Sequence, residues 1–126
     1  MKKTIIHTNN APAPIGPYSQ AVMVDNTLYI SGQIAIDPAS NELNLADLET
    51  ETKQVLANLE AVLTAAGMDF SHIVKTGIFL SDMSHFAKVN ELYGACFEKD
   101  FPARETVAVK TLPKNVNVEI SAIAVK

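Results

Sequence analysis

The sequence predicts an α/β (α+β) two-layer sandwich, with two helices packed on one face of a mixed sheet. Three observations carry this. Segments of strand and helix character follow one another in the order β-β-β-α-β-α-β-β. Two of them are amphipathic helices, which need a sheet face to cover. The chain has 126 residues, 48% of them hydrophobic and 19% charged, enough for one core and so for one domain over residues 1–126.

Lys3 to His7 reads as the first strand. Asn9 to Pro17 is a loop, because Pro12, Pro14 and Pro17 each remove a backbone donor. Ala21 to Val24 and Thr27 to Ser31 flank Asp25-Asn26 and predict a hairpin, and Asp37 to Asn44 is polar turn material. Leu48, Thr52, Val55, Leu59, Val62 and Ala66 alternate spacings of four and three, which predicts a helix from Leu48 to Ala66. Asp47 is placed to cap it and Gly67 to end it.

Ile73 to Leu80 is a strand. Ser84 to Lys99 is a second helix with Phe86, Val89, Tyr93 and Phe97 on one face. Arg104 to Lys110 and Val116 to Val125 are the closing strands, separated by a Pro113-Lys114-Asn115 turn. Ile123 and Val125 share a face with Glu119 and Ser121, so both faces of the last strand carry apolar side chains. Two helices cover only one face. The other is expected to pack on another subunit, and a mean hydropathy of +0.12 points the same way.

A net charge of −4 and ten scattered basic residues argue against nucleic acid as the main partner. Cys96 is the one cysteine, so no internal disulfide forms and a reducing, cytoplasmic setting is expected. It reads as a small buried hydrophobe in mid-helix. No Cys/His grouping has metal-ligand spacing, and His7, His72 and His85 support no triad. The N-terminus lacks the apolar core of a signal peptide, and no run is long enough to span a membrane. Neither GxGxxG nor a Walker A loop is present.

A few polar residues need explaining. Arg104 opens a strand after Pro102-Ala103, as a solvated charge or as a planar fork for a carboxylate. Glu119 interrupts a strand-like run, as an outward edge residue or as a cleft carboxylate that handles water. Gly16-Pro17-Tyr18-Ser19-Gln20 reads as a turn with an aromatic anchor. Ser31-Gly32-Gln33 is either a bulge or a place where a ligand approaches backbone. Asn90 is exposed beside the apolar stripe or caps a loop, and Thr106 suits a strand by its branching.

Taken together, Gly16-Pro17-Tyr18-Ser19-Gln20-Ala21, Ser31-Gly32-Gln33 and Pro102-Ala103-Arg104 followed by Val118-Glu119-Ile120 resemble the RidA (YjgF-like) family of reactive-intermediate deaminases. The likeness runs over essentially the whole chain. It implies a chorismate-mutase-like fold and a homotrimer with sites in clefts between subunits. It also implies hydrolysis of 2-iminopropanoate and 2-iminobutanoate, released as enamines by pyridoxal-phosphate dehydratases, to 2-keto acids and ammonia without a cofactor.

Carried over by motif, Arg104 would bind the substrate carboxylate and Glu119 would position the attacking water and manage its proton. Tyr18 would line the pocket, with Ser31 and the Gly32 backbone opposite, while Asn90 and Thr106 match ligand-contacting positions. Two residues depart from the family pattern: Glu105 stands where a small residue is common, and Thr106 where many relatives have Cys. Strand alternation turns residue 105 away from Arg104 and Thr106, so the departures bear on substrate preference more than on reaction type. Three other readings use the same chain: a trimeric sensor of 2-keto acids or amino acids, an RNA-cleaving or translation-inhibiting protein, and a holdase. The acidic pI weighs against the second, and a holdase has no need of Arg104.

Overall fold

Sheet and helices meet along one continuous apolar layer in the computed structural model, which describes residues 1–126. The strands are β1 (Lys3–Ile6), β2 (Ala21–Val24), β3 (Thr27–Gln33), β4 (Ile73–Leu80), β5 (Ala103–Ala108) and β6 (Val118–Val125). They form one six-stranded sheet in the order β1-β2-β3-β6-β4-β5. All neighbours are antiparallel except β4 and β5, which are parallel. The crossover between those two carries the second helix, as a parallel pair requires.

The first helix, α1 (Leu48–Ala65), begins where Asp47 accepts the Thr50 N–H at 2.7 Å and ends before Gly67 at φ +72°. Its buried stripe includes Thr52, Val55, Leu59 and Val62, in agreement with the periodicity. The second, α2 (Phe86–Gly94), is shorter than its pattern predicts. A 3₁₀ turn over Met83–His85, capped by Asp82, precedes it. After Gly94 the chain turns back, and Phe97 packs against Tyr93 at 5.0 Å and Phe70 at 5.7 Å between ring centroids. Cys96 therefore sits in the turn beyond α2 rather than in mid-helix, half-buried against the core. Burial pushes its thiol pKa up, which suits an inert packing role.

The last strand begins at Val118, two residues later than predicted. Lys114 and Asn115 both take left-handed backbone, at φ 54° and 59°. The strand start is then fixed by a buried carboxylate, since Glu51 of α1 accepts from Asn117 N at 2.7 Å, Asn117 Nδ2 at 2.8 Å and Val118 N at 3.1 Å.

Leu28, Ile30, Ile78, Leu80, Val118, Ile120 and Ala122 face the helices and are buried. On the opposite face Phe79 is partly covered by a small cluster of Ile34, Ile36, Leu112 and Val116. Tyr29, Val107 and Val125 on that face are 50, 43 and 40% exposed, as the two-sided apolar pattern of the final strand foretold. No helix is long and apolar enough to cross a membrane.

Candidate functional site

Strand register sorts the candidate residues into two groups. Directly paired residues project to the same face of a sheet. Thr76, buried under the helices, pairs with Arg104, and Ile78 pairs with Thr106, so Arg104 and Thr106 belong to the helix side. Glu119 pairs with Phe79 and belongs to the open side. Within one chain Arg104 and Glu119 therefore point to opposite faces.

The open-side group is built around an irregularity in β3. Between Ile30 and Gln33 the register against β6 shifts, which takes Ser31 and Gly32 out of the regular ladder. Ser31 Oγ donates to the Ser19 carbonyl at 2.6 Å, and the Ser31 N–H donates to the Gln20 carbonyl at 3.0 Å. The Ser31 proton is thus committed to the neighbouring loop, leaving its oxygen to accept. Glu119 lies directly over Gly32. Ser31-Gly32-Gln33 is thus a bulge, and the close neighbour its small residue admits is the Glu119 carboxyl. Tyr18, Ser31, Gly32 and Glu119 line one concavity of about 330 Å³, with Ile15 and Pro113 at its rim.

Tyr18 is half exposed, and its hydroxyl accepts from Ile15 N at 3.3 Å. The loop that carries it is held by Gln20, whose role the sequence did not reveal. Its buried amide accepts from Thr8 N at 2.8 Å and reaches the carbonyls of Thr8, Ala11 and Pro12 at 2.9, 3.2 and 2.9 Å. The available signal was a large amide directly before the apolar hairpin strand, which must find partners if it is buried. Burial raises the Glu119 carboxyl pKa above the ordinary glutamate range. No hydrogen bond or ion pair occupies that carboxyl, which leaves it free to meet water and exchange a proton with it.

The helix-side group centres on Arg104, the one arginine in the chain. Its Nη1 donates to Asn90 Oδ1 at 2.8 Å. The guanidinium carbon lies 5.6 Å from the Phe86 ring centroid and 5.2 Å from that of Tyr93. Asn90, Tyr93, Phe101, Pro102 and Arg104 line a second concavity of about 480 Å³. Phe101, 64% exposed, and Tyr93 were not singled out from the sequence as site residues. The signals were an aromatic just before Pro102-Ala103-Arg104 and another three residues past Asn90. Thr106 carries a buried hydroxyl with no hydrogen-bond partner. Glu105 faces the open side and pairs with Lys75 at 3.4 Å, so it leaves the Arg104 charge uncompensated.

The Arg104 group presents a cation in one concavity, and the Glu119 group presents an unpaired carboxyl in the other. No cluster of His, Cys, Asp and Glu suited to a metal ion is present.

The fold and motifs have close counterparts. A family model described as endoribonuclease L-PSP matches residues 8–126. A mouse (Mus musculus) protein named 2-iminobutanoate/2-iminopropanoate deaminase is 50% identical over 124 residues, 98% of this chain and 92% of that protein. The crystal structure of the E. coli YjgF gene product superposes with a TM-score of 0.92 at 45% identity, covering 98% of each chain. That of E. coli TdcF with bound serine gives 0.93 at 39% identity, covering 98% of each. With its sheet order, its Pro-Ala-Arg and Val-Glu-Ile segments and near full-length identity of this order, the chain belongs to the endoribonuclease L-PSP family, the RidA/YjgF family of its motifs.

Proposed function

We propose that the protein is an enzyme that hydrolyses 2-iminopropanoate and 2-iminobutanoate to pyruvate or 2-oxobutanoate and ammonia, acting as a homotrimer with its sites between subunits. The observation that carries the reading is Arg104. It is a guanidinium in a concavity with a neutral amide as its hydrogen-bond partner, and so keeps its charge for a substrate carboxylate. The mouse relative's name supports the imine substrate. The opposed faces of Arg104 and Glu119, together with the exposed apolar residues on the open face, support a site completed by a neighbouring chain.

The chemistry asks little of the protein. A protonated imine is already an electrophile. Arg104 grips the carboxylate, with Asn90 fixing the guanidinium. Glu119 takes a proton from water as the oxygen bonds to C2 and the C=N π pair moves onto nitrogen. The same carboxyl gives the proton to nitrogen and, again a carboxylate, takes the hydroxyl proton as that oxygen closes the C=O, the C–N bond breaks and its pair leaves with ammonia. The carboxyl then releases the proton to ammonia or water. General acid–base help of this kind contributes about 10²–10⁴-fold. Holding water at the imine carbon adds the proximity effect. Tyr18 and Ser31 border the water side, and Thr106 stands two residues from Arg104 on its face.

The test is release of ammonia and 2-keto acid while a pyridoxal-phosphate dehydratase turns over several amino acids, with and without the protein. Faster release is expected. The serine bound to E. coli TdcF favours a second reading, an amino-acid or keto-acid sensor built on the same cleft. Tight ligand binding without any acceleration of release would replace the enzyme with that sensor.

A further inference from the structure

Arg104 enters none of the ion pairs of the chain. Its guanidinium rests on α2 instead, touching Phe86, Asn90 and Tyr93, which are spaced four and three apart and share one helix face. Of these three, Tyr93 is the one that is buried and held at its far end. Its hydroxyl lies 2.7 Å from Oγ1 of Thr76, itself buried, and Thr76 is the register partner of Arg104 across β4 and β5. A ring pinned to one strand thus supports the side chain rooted on the next.

An arginine loses rotamer freedom when it is fixed, and a ligand must overcome that loss unless the protein has already ordered the side chain. A carboxylate in place of the ring would order it too, but would cancel the charge that an anionic ligand needs. An aromatic face attracts the cation and leaves its charge in place. From this geometry we infer that Tyr93, anchored by Thr76, is a positioning residue that holds Arg104 pre-oriented for a planar anion. The inference deepens the imine-acid reading and rests on it for the ligand.

Because the chain has one arginine, ¹⁵N-arginine labelling gives a single Nε–H signal per chain, and its relaxation reads Arg104 without any turnover. The wild-type signal is expected near the rigid order parameter of about 0.85, falling below about 0.6 in Tyr93→Leu. Binding of 2-oxobutanoate should weaken roughly 10-fold, and KM should rise by a similar factor while kcat stays within about 3-fold. Phe86→Leu removes the other ring, which is only partly buried. It should move both readouts the same way by less, and it decides the matter where Tyr93→Leu does not fold. An unchanged Nε–H order parameter in the folded variant overturns the inference, as does a wild-type signal that is already mobile. A wild-type protein with no imine turnover, whose Arg104 signal still loosens in Tyr93→Leu, removes the imine reading and upholds the positioning role.

Discussion

A methyl group at residue 32 would fall 2.5 Å from Glu119 Oε2, 2.8 Å from its Cδ and 3.0 Å from its Cγ. Gly32 and Glu119 therefore share one volume, and the bare backbone at 32 lets the carboxyl lie where Tyr18 and Ser31 also reach. Gly32→Ala must displace the head of Glu119. We expect the variant to fold, with strain of about 1–3 kcal/mol, and to lose on the order of 100-fold in kcat/KM through the misplaced carboxyl. Steady-state imine hydrolysis beside thermal unfolding separates the two effects, and unaltered kcat/KM would show that the packing has no catalytic consequence.

Glu119→Gln keeps the shape and removes the proposed base. Turnover should fall by about 10²–10⁴-fold while 2-oxobutanoate still binds. The raised pKa adds a stability signature. The folded chain holds the Glu119 proton more tightly than the unfolded chain does, so stability is greatest below the ordinary value of 4.5 and declines as pH rises through the folded-state value. Glutamine has no such cost. Thermal unfolding should find the variant at least as stable as wild type at pH 7, with its advantage gone below pH 4.5. The acidic limb of kcat/KM in the wild type should likewise lie above 4.5. A wild-type limb below that value would mean that water is activated elsewhere.

In the proposed mechanism Arg104→Ala removes a charge-assisted bidentate contact to the substrate carboxylate, each bond of which contributes roughly 1.5–3 kcal/mol. A loss of more than about 100-fold in kcat/KM is expected, with lysine restoring only part because it lacks the planar fork. Lysine also loses the flat stacking surface over Phe86 and Tyr93. Full activity in a folded Arg104→Ala protein would sink the proposed mechanism.

Much of this arrangement is legible in the sequence, and what is not has a common cause. The alternation from Val116 to Val125 suffices to set Glu119 and Ile123 on one face and Ile120 on the other. The α1 stripe suffices for its length and caps. That Arg104 and Glu119 look in opposite directions depends on the pairs Thr76–Arg104 and Phe79–Glu119, which are long-range facts no local pattern contains. The early end of α2 depends on Phe97 turning back to Phe70 and Tyr93, where periodicity alone carried the helix onward. Glu51 reads in sequence as an ordinary first-turn acid, and its partners lie 66 and 67 residues later.

Glu51→Gln tests that last relationship. Glutamine keeps one acceptor oxygen and sets an amide donor against the donors of Asn117. Each unsatisfied buried group costs about 1–3 kcal/mol, so a loss of roughly 3 kcal/mol is expected by chemical denaturation. The folded fraction should keep kcat near the wild-type value, since Glu51 lines neither concavity. A fall in kcat without a fall in stability would assign this buried acid to the chemistry instead.

The division of Arg104 and Glu119 between two faces makes a sharper demand on the assembly. If one chain supplies the anion grip and its neighbour the base, two inactive variants must repair one another. Arg104→Ala retains Glu119, and Glu119→Gln retains Arg104. Light scattering should report about three chains per particle, and co-expressed variants carrying different tags should form mixed trimers. In a random equal mixture, a site regains both groups when its Arg104 comes from one variant and its Glu119 from the other. This occurs at about one quarter of interfaces, so roughly a quarter of the wild-type activity per site should return while each variant alone stays inactive. A mixture no more active than its components would place both groups of each site in a single chain, against the opposed faces seen here. A monodisperse monomer that hydrolyses the imine would remove the intersubunit site altogether.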